Sequence, residues 1–132
     1  MVERNPAASH SAKLRILVVE DEGMIAMLIE DMLIQLGHEV VAVASNARQA
    51  LEVARTASFD FALVDLNLDG QPSYPIADML ASRGAPFAFA TGYGLQGVDR
   101  RYADVPRLTK PFLSSDLDQL LSQVVPRGTT GG

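Results

Sequence analysis

The chain contains no cysteine among its 132 residues. This absence excludes disulfide frameworks, thiol catalysis and cysteine-ligated zinc, and it makes a reducing cytoplasm the expected compartment. The chain also lacks any apolar run of the roughly 18–20 residues needed to span a bilayer. Its first residues, MVERNPAASHSAK, have no apolar centre of the kind that signal peptides carry. We therefore expect no membrane association.

Basic charge is also scarce, with 11 Lys and Arg against 16 Asp and Glu and a formal net charge of -5. A chain that binds a nucleic-acid backbone needs a basic face, so nucleic acid is not an expected partner. Hydrophobic residues make up 48% of the chain, which is ordinary for a globular protein. The length suits one domain, and we expect it to cover residues 14–125, with mobile tails at 1–13 and 126–132. A monomer or a weak dimer is expected.

Short apolar runs alternate with helical patterns along the whole chain. The predicted strands are RILVVE, EVVAVA, FDFALVDLN, PFAFAT and PRLTK, in that order. Continuous apolar runs are typical of strands buried on both faces, and alternation with helices indicates parallel βαβ units. The pattern predicts a flavodoxin-like, doubly wound (βα)5 domain with a five-stranded parallel sheet.

One of the five units is different. The segment between the fourth and fifth predicted strands, GYGLQGVDRRYADV, has three glycines and little apolar periodicity. We therefore expect the fourth helix to be short, irregular or absent.

Polar residues follow the predicted strands. Glu20 and Asp21 follow the first strand, Asp65 ends the third, Thr91 ends the fourth and Lys110 ends the fifth. Open α/β sheets bind ligands at the carboxyl ends of their strands. The sequence thus predicts three carboxylates, a hydroxyl and an ammonium group along one edge of the sheet.

This set of side chains suits phosphoryl chemistry. Clustered carboxylates repel one another, and Mg²⁺ relieves that repulsion while bridging carboxylate to phosphate. An aspartate can act as a nucleophile, so a phosphoryl group on Asp65 would lie between the metal and Lys110. Thr91 could donate a hydrogen bond to it, and the backbone N–H of Gly92 could approach closely because no side chain intervenes.

With these residues in these positions, the chain resembles a receiver domain of two-component response regulators over roughly residues 14–125. The resemblance implies that a histidine kinase or a phosphotransfer protein donates its phosphoryl group to Asp65. It also implies that Asp21, Asp65 and the carbonyl of Asn67 ligate Mg²⁺, with Glu20 assisting through water.

The resemblance further implies that Lys110 pairs with the phosphoryl group and that the Lys110–Pro111 bond is cis. The stretches PFAFATGYG and DGQPSYPIADML resemble the FAT GUY subgroup, which consists of single-domain receivers of alphaproteobacteria. That resemblance implies a role in the general stress response and a histidine kinase of the HWE type or a related one. Because few residues follow the last predicted helix, we expect a stand-alone receiver whose output is phosphorylation-dependent protein contacts.

One position departs from the usual receiver pattern. Most receivers carry Tyr or Phe three residues before the strand-five lysine, whereas this chain has Arg107. The expected partner of Thr91 in switching or gating is therefore Tyr93. We interpret Tyr74 and Tyr102 as packing residues.

Four other functions are weighed against this interpretation. A phosphate relay or sink between kinases would use the same residues without a conformational output. An unphosphorylated adaptor would not need the acid set and Lys110. A flavodoxin-type cofactor site is disfavoured because EDEGM after the first strand is acidic. A dehalogenase-like phosphatase would need a second aspartate where Asn67 stands.

Overall fold

The computed structural model describes residues 13–92 and 98–124. The strands are β1 (Arg15–Val19), β2 (Glu39–Ala44), β3 (Phe61–Asp65), β4 (Asn67–Leu68), β5 (Gln71–Pro72), β6 (Phe87–Thr91) and β7 (Arg107–Thr109). The main sheet has five parallel strands in the order β2-β1-β3-β6-β7, and a small antiparallel hairpin pairs β4 with β5. The helices are α1 (Gly23–Gln35), α2 (Ala47–Thr56), α3 (Tyr74–Ser82) and α4 (Ser114–Val124). The predicted flavodoxin-like fold is confirmed.

The sheet is covered on both faces, as the continuous apolar runs predicted. Residues alternate between the faces, so Leu17 and Val19 pack with α2 and α3, whereas Ile16 and Val18 pack with α1 and α4. All five residues of β3 are buried. This central strand therefore ends inside the protein, and its last residue, Asp65, is buried there.

Local signals set the helix boundaries. The side chain of Asn46 accepts a hydrogen bond from the Gln49 N–H (2.8 Å) and so caps α2. After α1, Gly37 has a φ of 93°, a conformation that glycine adopts without a steric penalty. Asn46 thus separates α2 from the strand before it, and Gly37 separates α1 from the strand after it.

The fourth crossover has no α-helix in its described residues, in agreement with the expectation of a short, irregular or absent fourth helix. A single 3₁₀ turn, Arg100–Tyr102, lies between β6 and β7 in the described part of this crossover. Residues 93–97 lie outside the described residues, as do 1–12 and 125–132. The expected mobile tails therefore remain predictions. Lys13 is the one expected tail residue that the structure describes, and it is exposed.

The β4–β5 hairpin is a feature for which the sequence predicted only a turn. Its corner is Asp69-Gly70, with φ values of 51° and 80°. Asp-Gly is the pair that a tight hairpin turn favours, since both central residues need positive φ. In the described residues, no helix is long and apolar enough to cross a membrane.

His38 gives the fold a pH-dependent contribution. It is buried after α1, and its Nδ1 accepts the Leu14 N–H at 3.1 Å. Burial lowers its pKa, and the charge of Asp118 opposes this only in part. The unfolded chain therefore binds a proton that the folded chain resists, so stability from His38 is lost as the pH falls below the ordinary histidine range.

We expect His38→Asn, which keeps an acceptor near Nδ1 but does not titrate, to remove this contribution. Urea unfolding at pH 5 to 8 measures it as the gap between the wild-type and variant free energies of unfolding. The wild type should lose more stability than the variant between pH 7 and pH 5. Parallel curves would contradict the assignment.

Candidate functional site

The acidic cluster lies where the strand order reverses. From β1 the chain goes to β2 on one side and then crosses to β3 on the other, which opens a crevice at their carboxyl ends. Glu20, Asp21 and Asp65 meet there, and one carboxylate oxygen from each lies within 4.8 Å of the others. Glu20 and Asp65 are buried, and Asp21 is partly exposed.

Lys110, the residue directly after β7, contacts both buried acids. Its Nζ lies 3.0 Å from Glu20 Oε1 and 3.3 Å from Asp65 Oδ2. Its backbone N–H donates to the carbonyl of Thr91 at 2.8 Å, so the end of β7 is fixed against the end of β6. Burial alone would lower the pKa of Lys110, but the contacts with Glu20 and Asp65 outweigh it and raise the pKa, which keeps the side chain charged.

Asp65 is destabilised as an anion. Burial is the main cause and the negative charge of Glu20 the next, and together they raise its pKa to about 7 even though Lys110 opposes them. A hydrogen bond from the Asn67 N–H to Asp65 Oδ1 (3.2 Å) also favours the anion. Near neutral pH this carboxyl is thus balanced between its two protonation states.

The pKa of Asp21 is shifted in the opposite direction. Burial alone would raise its pKa, but hydrogen bonds outweigh burial and lower it, the largest from the Asp69 N–H. That N–H lies 3.0 Å from Asp21 Oδ2. The β4–β5 hairpin therefore orients two of the three acids, through the backbones of Asn67 and Asp69.

An open cleft of about 1250 Å³ surrounds these groups. Its polar part contains the two aspartates of the cluster and Lys110, together with Asn67, Thr91 and Gly92. Its apolar part comes largely from α1 and from the segment after β7, through Ile25, Leu28, Ile29, Met32, Pro111 and Phe112. A charged group and an apolar surface can therefore be bound side by side.

The structure brings most of the predicted site residues together. Thr91 is 1% exposed at the end of β6, while Gly92 is exposed and a Cβ there would meet nothing within 4 Å. The Lys110–Pro111 bond is cis, as the resemblance implied. Tyr93 lies outside the described residues, so its switching or gating role stays a prediction.

Three features were missed or left open by the sequence reasoning. Asp69 was not singled out, although the Asp-Gly pair signals the hairpin that positions it. Tyr74, interpreted as a packing residue, lines the cleft. Arg107 lies half-buried on β7, and its Nη2 donates to the carbonyl of Ala103 at 2.5 Å.

The donor set fits a magnesium ion. Three carboxylates and one ammonium leave negative charge in excess, and all the convergent acidic ligands are oxygens, which Mg²⁺ prefers. Asp21 and Asp65 both line the cleft, whereas Glu20 is 1% exposed, so Asp21 and Asp65 are the better direct ligands. Asn67 also lines the cleft.

A doubly wound α/β domain with an acidic cluster and a lysine at its switch point is the class that the geometry defines. The chain belongs to the response regulator receiver domain family, whose match covers residues 16–122. It is 31% identical over 117 residues to the transcriptional regulatory protein PdtaR of Mycobacterium tuberculosis. That alignment covers 86% of this chain and 57% of PdtaR, so the chain spans little more than half of this curated relative.

Solved structures agree with this assignment. SdrG from Sphingomonas melonis Fr1 superposes with a TM-score of 0.77 and 40% identity, over 87% of this chain and 98% of SdrG. The PhyR stress response regulator superposes with a TM-score of 0.76 and 28% identity, over 92% and 51% of the two chains. The receiver domain of the sensor histidine kinase PA1611 from Pseudomonas aeruginosa PAO1 has a coordinated magnesium ion in its active-site cleft. It is 29% identical to this chain and superposes with a TM-score of 0.73, over 86% of this chain and 98% of that receiver domain.

Magnesium and the Asp65 proton should compete. Because the folded-state pKa of Asp65 is raised to about 7, its proton-linked stability is present at acid pH and is lost as the pH rises through 7. A divalent cation should restore that stability at high pH, where Asp65 is charged.

Thermal unfolding with and without MgCl₂ at pH 5.5 and pH 8 tests this competition. The rise in Tm caused by magnesium should be larger at pH 8. In Asp65→Asn, which cannot ionise, the rise should be smaller and nearly independent of pH. An equal rise at both pH values in the wild type would contradict the prediction.

Proposed function

We propose that this protein accepts a phosphoryl group on Asp65 from a phosphohistidine donor and passes the signal on through protein contacts. The observation that carries the proposal is the placement of Asp65 Oδ2 3.3 Å from Lys110 Nζ inside the acidic cluster. In the reaction, a carboxylate oxygen of Asp65 attacks phosphorus. The bond from phosphorus to the donor's imidazole nitrogen breaks, and its electron pair stays on that nitrogen.

The neighbouring residues each have a defined part in this transfer. Lys110, held by Glu20, remains charged and neutralises a phosphoryl oxygen. Thr91 and the N–H of Gly92 line the cleft on the β6 side and supply hydrogen-bond donors. A bound Mg²⁺ would supply charge neutralisation for the transferring group, held by Asp21 and Asp65, with the carbonyl of Asn67 as a third ligand and Glu20 acting through water.

A general stress response is the proposed setting. PhyR is a stress response regulator, and SdrG is 40% identical to this chain over most of its length. The PFAFATGYG stretch further supports the FAT GUY subgroup and a kinase of the HWE type or a related one as donor. A phosphotransfer protein would present the same phosphohistidine.

The first helix is the proposed docking surface for that donor. Met24, Met27 and Leu28 of α1 are 80%, 64% and 57% exposed, on the helix that begins next to Asp21. Solvent-exposed methionines suit a surface that packs against another helix. Because this surface borders the cleft, a donor helix placed there would bring its histidine towards Asp65.

Transfer from an autophosphorylated histidine kinase in the presence of Mg²⁺ tests the acceptor. Asp65→Asn should lower the rate of transfer by at least about 100-fold, because the amide is not a nucleophile. Lys110→Arg is the matched variant that keeps the charge, and it should retain part of the activity. Transfer that survives in Asp65→Asn would refute the proposal. Rapid transfer back to the kinase, with equal partner binding in both states, would instead indicate a phosphate relay or sink.

Substitutions on α1 test the docking surface separately. Met27→Lys should slow transfer from the kinase about ten-fold, because it places a charge in an apolar contact. It should leave phosphorylation by acetyl phosphate unchanged, since that donor needs no protein surface. Ile34→Lys is the matched control, because Ile34 is 55% exposed on the same helix but at the end far from Asp21. Equal effects of the two substitutions would contradict the assigned surface.

A further inference from the structure

The β4–β5 hairpin contacts two of the three clustered acids through its backbone. The N–H of Asn67, its first residue, donates to Asp65 Oδ1 at 3.2 Å. The N–H of Asp69, at its corner, donates to Asp21 Oδ2 at 3.0 Å. The two donors are two residues apart in the chain, so one short segment holds both of the clustered aspartates that line the cleft.

The pairing of the hairpin explains why these two N–H groups face the acids. In an antiparallel pair the backbone groups of successive residues point alternately towards the partner strand and away from it. The carbonyl of Leu66 accepts the Ser73 N–H, and Leu68 pairs with Gln71, so residues 66 and 68 face the returning strand. The N–H groups of residues 67 and 69 are therefore directed away from β5 and towards the acids. The carbonyl of residue 67 leaves β4 on that same side.

The hairpin is fixed to the rest of the fold at its base. The bond between the Ser73 N–H and the carbonyl of Leu66 is 2.8 Å long, and the Leu66 N–H donates to the carbonyl of Ala90 in β6, also at 2.8 Å. The Leu68 side chain is 3% exposed and belongs to the core that α2 and α3 form with the sheet. The two N–H donors of the hairpin therefore project from a segment that is held close to the acids.

The corner of the hairpin requires two residues with positive φ. The φ values are 51° at Asp69 and 80° at Gly70, and a two-residue turn of this kind favours Asp-Gly. A Cβ at position 70 would meet nothing within 4 Å, so the backbone conformation restricts this position, whereas lack of space does not. The conformation of the corner therefore decides where the Asp69 N–H points.

Divalent cations differ in how strictly they need their ligands to be arranged. Mg²⁺ requires near-ideal octahedral geometry with bonds of about 2.0–2.1 Å, whereas Ca²⁺ accepts irregular sets of oxygens at about 2.3–2.6 Å. Carboxylates that hydrogen bonds already orient suit the stricter cation, because little ordering remains to be done when it binds. Carboxylates that rotate freely lose this advantage for Mg²⁺ and keep most of their value for Ca²⁺.

We propose that the β4–β5 hairpin is a preformed brace that orients Asp21 and Asp65, and that this brace makes the site select Mg²⁺ over Ca²⁺. Asp69 is a positioning residue in the brace and acts through its backbone N–H. The inference rests on the magnesium site of the proposed function and adds the element that determines its selectivity.

Two substitutions of Gly70 test the brace at a single position. Gly70→Val disfavours the positive φ of the corner because valine is β-branched, whereas asparagine in Gly70→Asn tolerates it. Titrations of the full chain with MgCl₂ and with CaCl₂, followed by amide chemical shifts, measure both dissociation constants. Gly70→Val should weaken Mg²⁺ binding about ten-fold and Ca²⁺ binding less than about three-fold. Gly70→Asn is the matched control and should keep the wild-type ratio of the two constants.

Asp69→Asn separates the backbone of this residue from its side chain, since Asp69 also lines the cleft. Asparagine retains the N–H and tolerates positive φ, but it carries no charge. The lost charge should weaken the binding of both cations alike, so the ratio of their dissociation constants should stay at the wild-type value. A changed ratio would assign the selectivity to the Asp69 carboxylate and overturn the role of the N–H.

Amide exchange in metal-free buffer tests whether the brace is preformed. The Asp69 N–H should exchange at least about ten-fold more slowly in the wild type than in Gly70→Val. If Gly70→Val fails to fold, Gly70→Ala is the milder substitution, because its Cβ has room and only the positive φ opposes it. Protection of this N–H that appears in the wild type only after MgCl₂ is added would overturn the preformed brace.

The titrations distinguish failure of this inference from failure of the proposed function. A wild type that does not bind Mg²⁺ would overturn the magnesium site of the proposed function, and this inference with it. Mg²⁺ binding by the wild type, with the same selectivity in Gly70→Val, would overturn this inference alone. Transfer from the kinase to Asp65 is a separate readout, so the phosphoacceptor proposal would then still stand.

Discussion

The repulsion between the buried carboxylates of Glu20 and Asp65 is the constraint on which the site depends. Parallel strands β1 and β3 are neighbours, so their carboxyl ends place these two acids together whether or not their charges are favourable. Lys110 reaches both from β7, and it is fixed there because its own backbone is bonded to Thr91. Lys110 offsets the burial of Asp65 and its repulsion by Glu20 only in part, so the pKa of Asp65 rises to about 7. For the same reason a divalent cation suits the cluster.

The strands and the polar residues at their ends could be predicted from the sequence, because both depend on short-range patterns. A run such as FALVD is buried along its whole length only if helices cover both faces, and that condition determines the fold class. Once the sheet is parallel, Asp21, Asp65, Thr91 and Lys110 must share an edge. The lack of an α-helix in the described part of the fourth crossover was likewise predicted from its glycines.

The contacts of Tyr74 and of the β4–β5 hairpin could not be predicted, because they join residues that meet only after folding. Nothing near Tyr74 in the sequence indicates that its hydroxyl accepts the N–H of Asp99. The bond from the Asp69 N–H to Asp21 likewise joins residues from two different strand ends, and its geometry comes from a turn with positive φ. The pKa of Asp65 required the distances to Glu20 and Lys110 as well as the residue types.

Arg107 has a consequence for the association of the chain with itself. Within the described residues β7 is an edge strand of the sheet, and an open edge is a template on which strands of other molecules can add. This edge is only three residues long and carries a charged side chain that bends back to the carbonyl of Ala103. An aromatic residue there would offer a flat apolar strand to neighbouring molecules. Arginine at this position therefore disfavours pairing of β7 with a strand of another molecule.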